Sequence, residues 1–463
     1  MSSTPMSTAD VDVVVIGAGV SGLTAARRLV AAGLEVAVLE ARPEVGGRTM
    51  LSRIRGITID RGGQFLCASM HPLLALLDEL GMATEPNQSL RDPQARDVWF
   101  RDGERSTYVG DLPPLTQQAT AALLAAMARL QEMSDTIDLE NPWDSPDAVE
   151  LDETTLGAWL TANVREDEAI YLLTALFSLA CVAAPQQLSL LFALWFIKGA
   201  GGIEGMGGDV DMTVVGGAGS IGLRLAAELG DRVHRGQPVA AVAHTADGVE
   251  VTTRSGAEFR SRRAIFAVPP SDARAIAFHP HLPSARTALQ SQWQQHAVLK
   301  FHACYDTPFW REDGLNGAVL SDIPVAPIVF DGSPADGSAG ILLGFLGLHG
   351  PRLFGGNDPA LIDDEQRLKS EIVAALTTYF GDRAAEPTEV VVHNWAVEPY
   401  ISGVLGATPP GLLSAYGDAL RTPVGPLHWA GTETALRWSG WISGAVEAGE
   451  RAAHEVAAVL RPG

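Results

Sequence analysis

Near its start the chain alternates between short apolar runs and glycine-rich turns. Residues 13–16 are a continuous β-branched apolar run, which is typical of a strand that is buried on both faces. Residues 23–32 follow with helical spacing and stop at Gly33, and residues 36–39 form a second apolar run. This order of strand, helix and strand predicts an α/β fold built on a parallel sheet.

Apolar patterns also predict elements farther along the chain. Residues 169–197 are the longest apolar tract, but Pro185 and the two glutamines after it divide the tract into pieces too short to span a bilayer, which takes roughly 20 apolar residues. We expect two buried helices there and no membrane span. Residues 297–305 read as an apolar strand, and residues 443–456 have the spacing and the small side chains of a closely packed helix.

The turn after the first strand has the glycine spacing of a dinucleotide-binding site. Gly17 permits the tight turn, Gly19 lets a pyrophosphate approach the backbone, and Gly22 allows the helix to pack closely on the strand. The N-terminus of the helix favours phosphate charge, and Glu40, at the end of the second strand, can accept hydrogen bonds from ribose hydroxyls. The alternative is a tight turn that binds no ligand. The candidate contacts at this end of the chain are Gly17, Gly19, Val20, Ser21, Gly22, Glu40, Ala41 and Arg42.

A second glycine-rich stretch favours FAD over NAD. The pair Gly46 and Gly47 lets the backbone pass close to a bulky ligand, and Arg48 can pair with a phosphate, although an ordinary surface arginine is the alternative. Another glycine-lined approach follows at Gly63 and Gln64. An NAD site does not need these additional contacts, whereas an extended FAD does.

Composition narrows the class of protein and of partner. A chain of 463 residues predicts two domains or one elaborated α/β domain. Its net charge of -22 argues against nucleic acid and anionic membranes as partners. Cys67, Cys181 and Cys304 lie far apart without metal-ligand spacing, which predicts no metal site and a reducing, cytoplasmic setting. The first ten residues lack the basic and apolar regions of a signal peptide, so residues 1–9 are expected to form a flexible tail.

A set of longer motifs occurs in a fixed order between residues 13 and 453. They are VVVIGAGVSGLTAARRL, LEARPEVGGRT, DRGGQF, VGGAGSIGLRLAAELGDRV, VLKFHACYDTPFWRE, NWAVEPYISG and GTETALRWSGWISGAVEAGERAA. As a set they resemble the flavin-containing monoamine oxidases of the flavin amine oxidase superfamily, in a soluble, bacterial-type form. The resemblance implies an α/β fold in which a Rossmann-like FAD-binding domain carries an inserted α+β substrate-binding domain.

The implied domains are discontinuous in sequence, and the resemblance is also compatible with a homodimer. The FAD-binding domain would comprise residues 10–86, 209–289 and 398–463. The substrate-binding domain would comprise residues 87–208 and 290–397, with a mixed sheet and with helices over residues 114–133 and 363–380.

The reaction implied by the resemblance is amine oxidation. Two electrons, formally a hydride, pass from the α-carbon of the amine to flavin N5, and the imine hydrolyses to an aldehyde or ketone plus ammonia or an amine. Oxygen then reoxidises the flavin and forms hydrogen peroxide. The cofactor carries this chemistry, while the protein orients a small-molecule amine and supplies the electrostatics.

The closing segment, residues 428–453, is implied to contact the flavin. Its Gly-Thr-Glu turn would bring backbone close to the ribityl and phosphate region. The helix after it would point unpaired N–H groups at flavin N1 and O2, where they stabilise a developing negative charge. In the central block, Val233 would contact the adenine side. The further cofactor contacts implied are Val233, Gly431, Thr432, Glu433, Trp441 and Ile442.

Lysine is rare in this chain, and Lys300 lies in the apolar stretch 297–305, where a lysine is costly unless it is solvated or paired. By resemblance it holds a water against flavin N5 and assists the reaction with oxygen. A lysine on an edge strand that reaches solvent is the alternative. Trp441 matches one wall of the family's aromatic cage, and Trp395 is expected to border the site. The expected lining of the substrate pocket is Phe65, Trp195 and Val404.

Two positions depart from the family pattern. The second cage position, usually a tyrosine, is Val404, which predicts a wider site or a differently shaped amine. In covalently flavinylated members the preceding position is a cysteine that is bonded to the flavin. Here it is Gly403, so FAD is expected to be bound non-covalently. Glu204 or Asp209 could bind the second cationic group of a diamine, although solvated loop residues are the simpler interpretation.

Other functions remain open on the sequence alone. An L-amino-acid oxidase of the same superfamily would need a fixed cation for the substrate carboxylate, and a desaturase-like flavin dehydrogenase is a further option. A flavin-fold binding protein without redox activity, similar to the GDP-dissociation inhibitors, could dispense with Lys300 and the closing segment.

Overall fold

The computed structural model describes residues 9–207, 210–347 and 357–461. Of the expected flexible tail, only Ala9 falls within the described residues, and it begins the first strand. The strands are β1 (Ala9–Ile16), β2 (Val36–Leu39), β3 (Leu51–Ile54), β4 (Ile57–Asp60), β5 (Phe65–Leu66), β6 (Thr84–Pro86), β7 (Arg96–Arg101), β8 (Glu104–Tyr108), β9 (Met212–Val214), β10 (Val233–His234), β11 (Val239–His244), β12 (Val249–Thr253), β13 (Glu258–Phe266), β14 (Ala277–His279), β15 (Gln294–His296), β16 (Val298–Tyr305), β17 (Leu315–Ser321), β18 (Ile328–Asp331), β19 (Gly340–Gly347), β20 (Glu389–Asn394), β21 (Leu405–Ala407) and β22 (Leu427–Trp429).

The helices lie between these strands in the chain, and the last helix follows β22. They are α1 (Val20–Ala31), α2 (His71–Glu79), α3 (Gln117–Asp135), α4 (Ala148–Glu153), α5 (Leu156–Asn163), α6 (Asp167–Cys181), α7 (Leu190–Gly199), α8 (Ile203–Gly207), α9 (Gly219–Leu229), α10 (Pro270–Ala273), α11 (Ser284–Gln292), α12 (Pro359–Ile362), α13 (Glu365–Phe380), α14 (Leu412–Tyr416) and α15 (Ile442–Leu460).

An eight-stranded sheet, counted within the described residues, carries the glycine-rich turns. Its order is β10-β2-β1-β13-β12-β11-β14, and β22 pairs with β13. Strands β10, β2, β1, β13 and β22 run parallel to one another, which confirms the predicted parallel α/β core. Val13 and Val15 pack in the same apolar cluster as α1 and α15, whereas Val14 packs with Phe259. The first strand is therefore buried on both faces, as its apolar run predicted.

The first and last long helices of the chain are neighbours. Helix α1 packs along α15, and a Cβ added to Gly449 of α15 would lie 2.3 Å from the carbonyl oxygen of Ser21 in α1. The Oγ of Ser21 also accepts a 2.9 Å hydrogen bond from the N–H of Gly431. The two ends of the chain thus meet at the glycine-rich turn that follows β1.

A second sheet, with seven strands among the residues that the structure describes, forms another layer in the order β20-β16-β19-β18-β17-β7-β8. Strand β16 lies between β20 and β19, and all of its residues are buried. Phe301 and Tyr305 pack with Ile372 of α13 on one face, while Val298 packs with Trp395 on the other. The predicted strand is confirmed, and it is an internal strand rather than an edge.

The apolar tract that was expected to form two buried helices does so. Residues 169–181 lie in α6 and residues 190–197 lie in α7, and Val182, in the left-handed conformation, follows the last residue of α6. Within the described ranges, no helix is both long enough and apolar enough to cross a bilayer. The predicted helices over 114–133, 363–380 and 443–456 correspond to α3, α13 and α15. Helix α3 begins only after Thr116, because the Oγ1 of Thr116 caps the N–H of Ala119.

Candidate active site

A cavity of about 610 Å³ joins the glycine-rich turns of the first sheet to the apolar face of the second. Gly17 and Gly19 line it at one end, and Phe330 and Phe345 of the second sheet line it at the other. Most of the residues that the sequence singled out line this single space. They are Gly17, Gly19, Val20, Ser21, Glu40, Ala41, Arg42, Gly47, Arg48, Gly63, Gln64, Phe65, Trp395, Val404, Gly431, Thr432, Trp441 and Ile442.

The glycines at the cavity leave the backbone accessible to a ligand. Gly17 has a φ of 104°, a conformation that side chains rarely adopt. Gly19 pairs with Gly46 as a parallel bridge, and a Cβ on Gly47 would lie 3.2 Å from the Cα of Gly19. The two glycine-rich stretches therefore approach each other with no side chain between them, and both turn their backbone to the cavity.

Glu40 is fixed at the end of β2 by the backbone around it. Its Oε2 accepts from the N–H of Ala18 at 2.8 Å, and its Oε1 accepts from the N–H of Arg42 at 2.9 Å. Burial raises the pKa of Glu40, while these two hydrogen bonds and the Arg42 charge oppose the rise. Each carboxylate oxygen keeps a lone pair that can accept from a ribose hydroxyl.

Two helices begin at the cavity without a side-chain cap. Helix α1 follows Gly19, helix α15 follows Trp441, and neither of these residues makes a capping hydrogen bond through a side chain. The first N–H groups of a helix have no partner within the helix and attract negative charge. A pyrophosphate at α1 and the N1–O2 edge of a flavin at α15 would satisfy these groups, so the residues present fit FAD.

Arg48, which is partly buried, and Glu433, which is fully buried, form an ion pair beside the cavity. Arg48 Nη1 donates to Glu433 Oε1 at 2.7 Å and to the carbonyl oxygen of Val404 at 2.9 Å, while Nη2 reaches Glu433 Oε2 at 3.3 Å. Burial alone would raise the pKa of Glu433, but the charge and hydrogen bonds of Arg48, together with hydrogen bonds from the backbone and from Gln295, outweigh it, and the pKa lies below its usual value. Arg48 lines the cavity, whereas Glu433 lies behind it and holds the guanidinium in place.

Lys300 is buried behind the 62–64 segment that lines the cavity. Its Nζ donates to the carbonyl oxygen of Gly62 at 3.0 Å and also to the side-chain oxygen of Gln64. Burial lowers the pKa of Lys300 to about 7, although the nearby Asp60 carboxylate favours the charged form. The lysine is 1% exposed on an internal strand, so the solvent-reaching edge lysine is excluded.

Aromatic and aliphatic side chains enclose the end of the cavity near Lys300. Trp441 donates its indole N–H to Ala180 at 3.1 Å, and Trp395 donates to Arg61 at 3.0 Å, so both rings are held by backbone carbonyls. Phe65 packs against Phe330 with ring centroids 5.1 Å apart. The remaining apolar walls of this chamber are Leu179, Val182, Val298, Phe345, Ile401 and Val404.

Two of the expected contacts lie elsewhere. Trp195 is in the core of α7, where its indole N–H donates to Leu139 at 2.9 Å, and it does not line the cavity. Val233 is in β10, paired with Val38, and it does not line the cavity either. The chain after β10 turns back toward Glu40, so Gln237, Pro238 and Val239 line the cavity in place of Val233.

Other expected residues act from behind the cavity wall or lie away from it. A Cβ on Gly22 would lie 2.0 Å from the carbonyl oxygen of Gly17, so this glycine allows close packing, and it does not line the cavity. Glu204 is exposed on α8, and Asp209 lies outside the described residues.

Some cavity walls were not predicted from the sequence: one lies near the first sheet, and another is formed by residues of the second sheet. The loop after β13 places Val268 against the cavity and the following helix α10 places Asp272 there, while β18 and β19 contribute Phe330 and Phe345. The apolar run before Pro269-Pro270 was a usable signal, because it marks another parallel strand that ends at the same edge as β1. No local signal distinguished Phe330 or Phe345 from other core aromatics.

Comparison with known proteins identifies the family. The profile of the family described as flavin containing amine oxidoreductase matches residues 20–457. The flavin-containing amine oxidase B of Sus scrofa is 34% identical over 454 residues, which cover 96% of this chain and 86% of that protein. A wild-type putrescine oxidase bound to putrescine has a TM-score of 0.90 at 31% identity, with 98% of this chain and 100% of that chain covered.

A second solved structure belongs to the same group. Cyclohexylamine oxidase from Brevibacterium oxydans IH-35A has a TM-score of 0.89 at 30% identity, with 97% of this chain and 99% of that chain covered. These relatives favour amine oxidation over the amino-acid oxidase, desaturase and non-redox alternatives. The chain therefore belongs to the flavin-containing amine oxidoreductase family and is an FAD-dependent amine oxidase.

Proposed function

We propose that this amine oxidase acts on monoamines with a bulky apolar group, and that it discriminates against diamines. The observation that carries the proposal is the apolar chamber at the Lys300 end of the cavity. Its walls are mainly aromatic or aliphatic side chains, among them Trp441, Phe330 and Phe345, and the polar Gln64, which contacts Lys300, lines the cavity beside them. An aliphatic ring or an aryl group gains free energy by leaving water for such a chamber, at roughly 25 cal/mol per Å² of apolar surface.

The carboxylates that line the cavity are engaged away from this chamber. Glu40 accepts backbone N–H groups at the dinucleotide end, and Glu398 pairs with Arg42 at 3.2 Å. Asp272 is hydrogen-bonded to Ser402 and lies near Arg48. Among the described residues, none of these three is left to receive a second ammonium group beside the aromatic walls. An unpaired ammonium in an apolar site costs several kcal/mol.

The side chains around the chamber have distinct proposed roles in the reaction. When bound, FAD accepts a hydride from the amine and passes two electrons to oxygen. Trp441 and Trp395 would orient the amine, and the replacement of a cage tyrosine by Val404 would leave room for a bulky substituent. Lys300, which has a pKa of about 7 and is anchored to the 62–64 segment, would place its charge next to the position where oxygen is reduced.

Several finer expectations complete the proposal. FAD would be bound non-covalently, because Gly403 has no side chain to form a bond, and a Cβ there would lie 2.8 Å from the carbonyl oxygen of His296. The proposed domains are residues 10–86, 209–289 and 398–463 for FAD, and residues 87–208 and 290–397 for the substrate. This division is supported by the two large sheets, which draw their strands almost entirely from these separate parts of the chain.

The cytoplasmic location predicted from the sequence and the homodimer compatible with it are also part of the proposal. Cell fractionation would test the location, and analytical ultracentrifugation would test the oligomeric state.

A matched pair of substrates tests the proposed specificity. Butylamine and putrescine have the same carbon chain and differ by one terminal amino group, and peroxide release reports turnover of both. We expect kcat/KM for butylamine to exceed that for putrescine by about 100-fold, which corresponds to about 2.7 kcal/mol. Cyclohexylamine should be turned over at least as efficiently as butylamine. A kcat/KM for putrescine equal to or above that for butylamine would contradict the proposal.

A further inference from the structure

A short turn after β20 covers one end of the cavity. Within residues 398–401 the N–H of Ile401 donates to the carbonyl oxygen of Glu398 at 3.2 Å, which closes the turn. Tyr400 in this turn has a φ of 62°, a left-handed conformation that costs a non-glycine residue about 1 kcal/mol or more. Such a conformation persists only where surrounding contacts hold it.

Two arginines hold the turn, and each contacts a different residue of it. Arg42 Nη2 lies 3.2 Å from Glu398 Oε2, and both side chains are nearly buried, at 10% and 13% exposure. The guanidinium carbon of Arg254 lies 5.5 Å from the ring centroid of Tyr400, a cation–π contact. All four of these residues line the cavity. The turn is thus attached at two points to the part of the molecule that binds the dinucleotide.

Both arginines belong to the neighbourhood of Glu40, the expected partner of the ribose. Arg42 is two residues beyond it. The N–H of Arg254 donates to Pro238 at 2.8 Å, and the N–H of the adjacent Gln237 donates to the carbonyl oxygen of Glu40 at 2.8 Å. The turn therefore borders the AMP end of the cavity through Glu398 and Tyr400, while Ile401, its last residue, packs at the apolar chamber.

We propose that residues 398–400 form a clasp that closes over the AMP end of FAD and slows its release. The clasp consists of the Arg42–Glu398 ion pair and the Arg254–Tyr400 stacking contact. Its function rests on the non-covalent binding proposed above: with no bond at Gly403, the rate of cofactor loss depends on what closes the cavity. Glu398 and Tyr400 act as positioning residues, since the contacts that define the clasp are made to Arg42 and Arg254. Glu398 also lies 3.2 Å from His393 Nε2, and the His393 ring packs edge-on against Trp395.

The test compares variants at both attachment points with a control variant next to the turn. Glu398→Gln removes the ion pair, Tyr400→Ala removes the stacking contact, and Arg254→Met removes the same contact from the other side. Val397→Ala is the control, because Val397 is 74% exposed and adjacent to the clasp. The FAD-loaded proteins are diluted, and the rate of FAD release is followed by the rise in flavin fluorescence. The visible absorption spectrum of bound flavin is recorded before dilution.

We expect each of the three variants to release FAD about tenfold faster than the wild type, which corresponds to about 1.4 kcal/mol. The spectrum of the bound flavin should stay unchanged, because the isoalloxazine ring would lie toward α15 and the apolar chamber, whereas the substituted contacts are those with Arg42 and Arg254. Val397→Ala should release FAD within about twofold of the wild-type rate. Release rates for Glu398→Gln, Tyr400→Ala and Arg254→Met that match Val397→Ala would overturn the clasp. Covalently retained flavin would instead refute the non-covalent binding, and acid precipitation detects that outcome separately.

Discussion

The Arg48–Glu433 pair offers a sharp test of how the end of the chain is held against its start. Arg48 follows the second glycine-rich stretch and Glu433 lies in the closing segment, so this contact joins residues that are 385 positions apart. Glu433→Gln keeps the size of the side chain and its link to Gln295, whose amide donates to Glu433 Oε1 at 3.0 Å in the wild type. It removes the negative charge that faces Arg48 and replaces one of the two oxygens that accept from the guanidinium with an NH2 group.

The expected loss of stability follows from the exposure of the two side chains. Glu433 is 1% exposed and Arg48 is 21% exposed. Breaking a fully buried ion pair costs about 3–5 kcal/mol, because a charge remains buried without a partner. Because water can reach part of Arg48, we expect Glu433→Gln to lower the free energy of unfolding by about 2–3 kcal/mol, at or below the low end of that range.

The pH dependence of this loss has a definite sign. The pKa of Glu433 is lower in the folded protein than its ordinary value of 4.5, so the pair stabilises the folded state fully above pH 4.5. The stabilisation is lost as the pH falls through the lower folded pKa. The difference in unfolding free energy between wild type and Glu433→Gln should therefore be constant near neutrality and should shrink in acid.

Guanidinium chloride unfolding of the FAD-saturated proteins, followed by tryptophan fluorescence, measures these differences. Glu79→Gln is the control, since Glu79 also pairs with arginines but is 37% exposed. A surface pair of this kind contributes about 1 kcal/mol or less. If Glu433→Gln destabilises the protein no more than Glu79→Gln does, or if its effect grows in acid, the argument from burial is wrong.

Two further predictions concern the flavin. Lys300→Met should slow reoxidation of reduced flavin by oxygen roughly tenfold or more while leaving FAD bound, because it removes the buried charge next to the 62–64 segment. Stopped-flow absorbance measures the rate, and Lys369→Met is the control, since Lys369 is paired with Glu365 on the surface of α13. An unchanged oxygen rate constant in Lys300→Met would refute the role. Acid precipitation should release all of the flavin into the supernatant, and yellow colour in the washed pellet would contradict non-covalent binding at Gly403.

Local patterns predicted the elements whose signals lie within a few residues. The β1–α1–β2 unit followed from a β-branched run, a glycine-rich turn and helical spacing, and each of these is a property of adjacent positions. The strand around Lys300 and the closing helix α15 followed in the same way. Helix α1 begins at Val20, three residues before the periodic apolar pattern, because the last residues of the glycine-rich turn already have helical geometry.

The positions of Trp195 and Val233 in the structure show what local sequence patterns cannot predict. Trp195 and Trp441 are both large aromatics in apolar surroundings. The packing of α7 places Trp195 in the core, whereas the position of Trp441 at the start of α15, bonded to Ala180, places it at the cavity. Val233 has the sequence context of a cofactor contact, but the backbone turn after β10 brings Gln237 and Pro238 to Glu40 instead.

The sequence by itself determined the kind of fold and the kind of cofactor, because a strand, a tight glycine turn and a helix N-terminus are encoded by neighbouring residues. It also marked Lys300 as unusual by placing a charge in an apolar strand. Only the tertiary structure decided that this lysine is internal and anchored to Gly62, that Arg48 faces Glu433, and that the Glu398–Tyr400 turn meets two arginines. These contacts join residues that are far apart in the chain, and their geometry is set by how the sheets and helices pack, which no local pattern specifies.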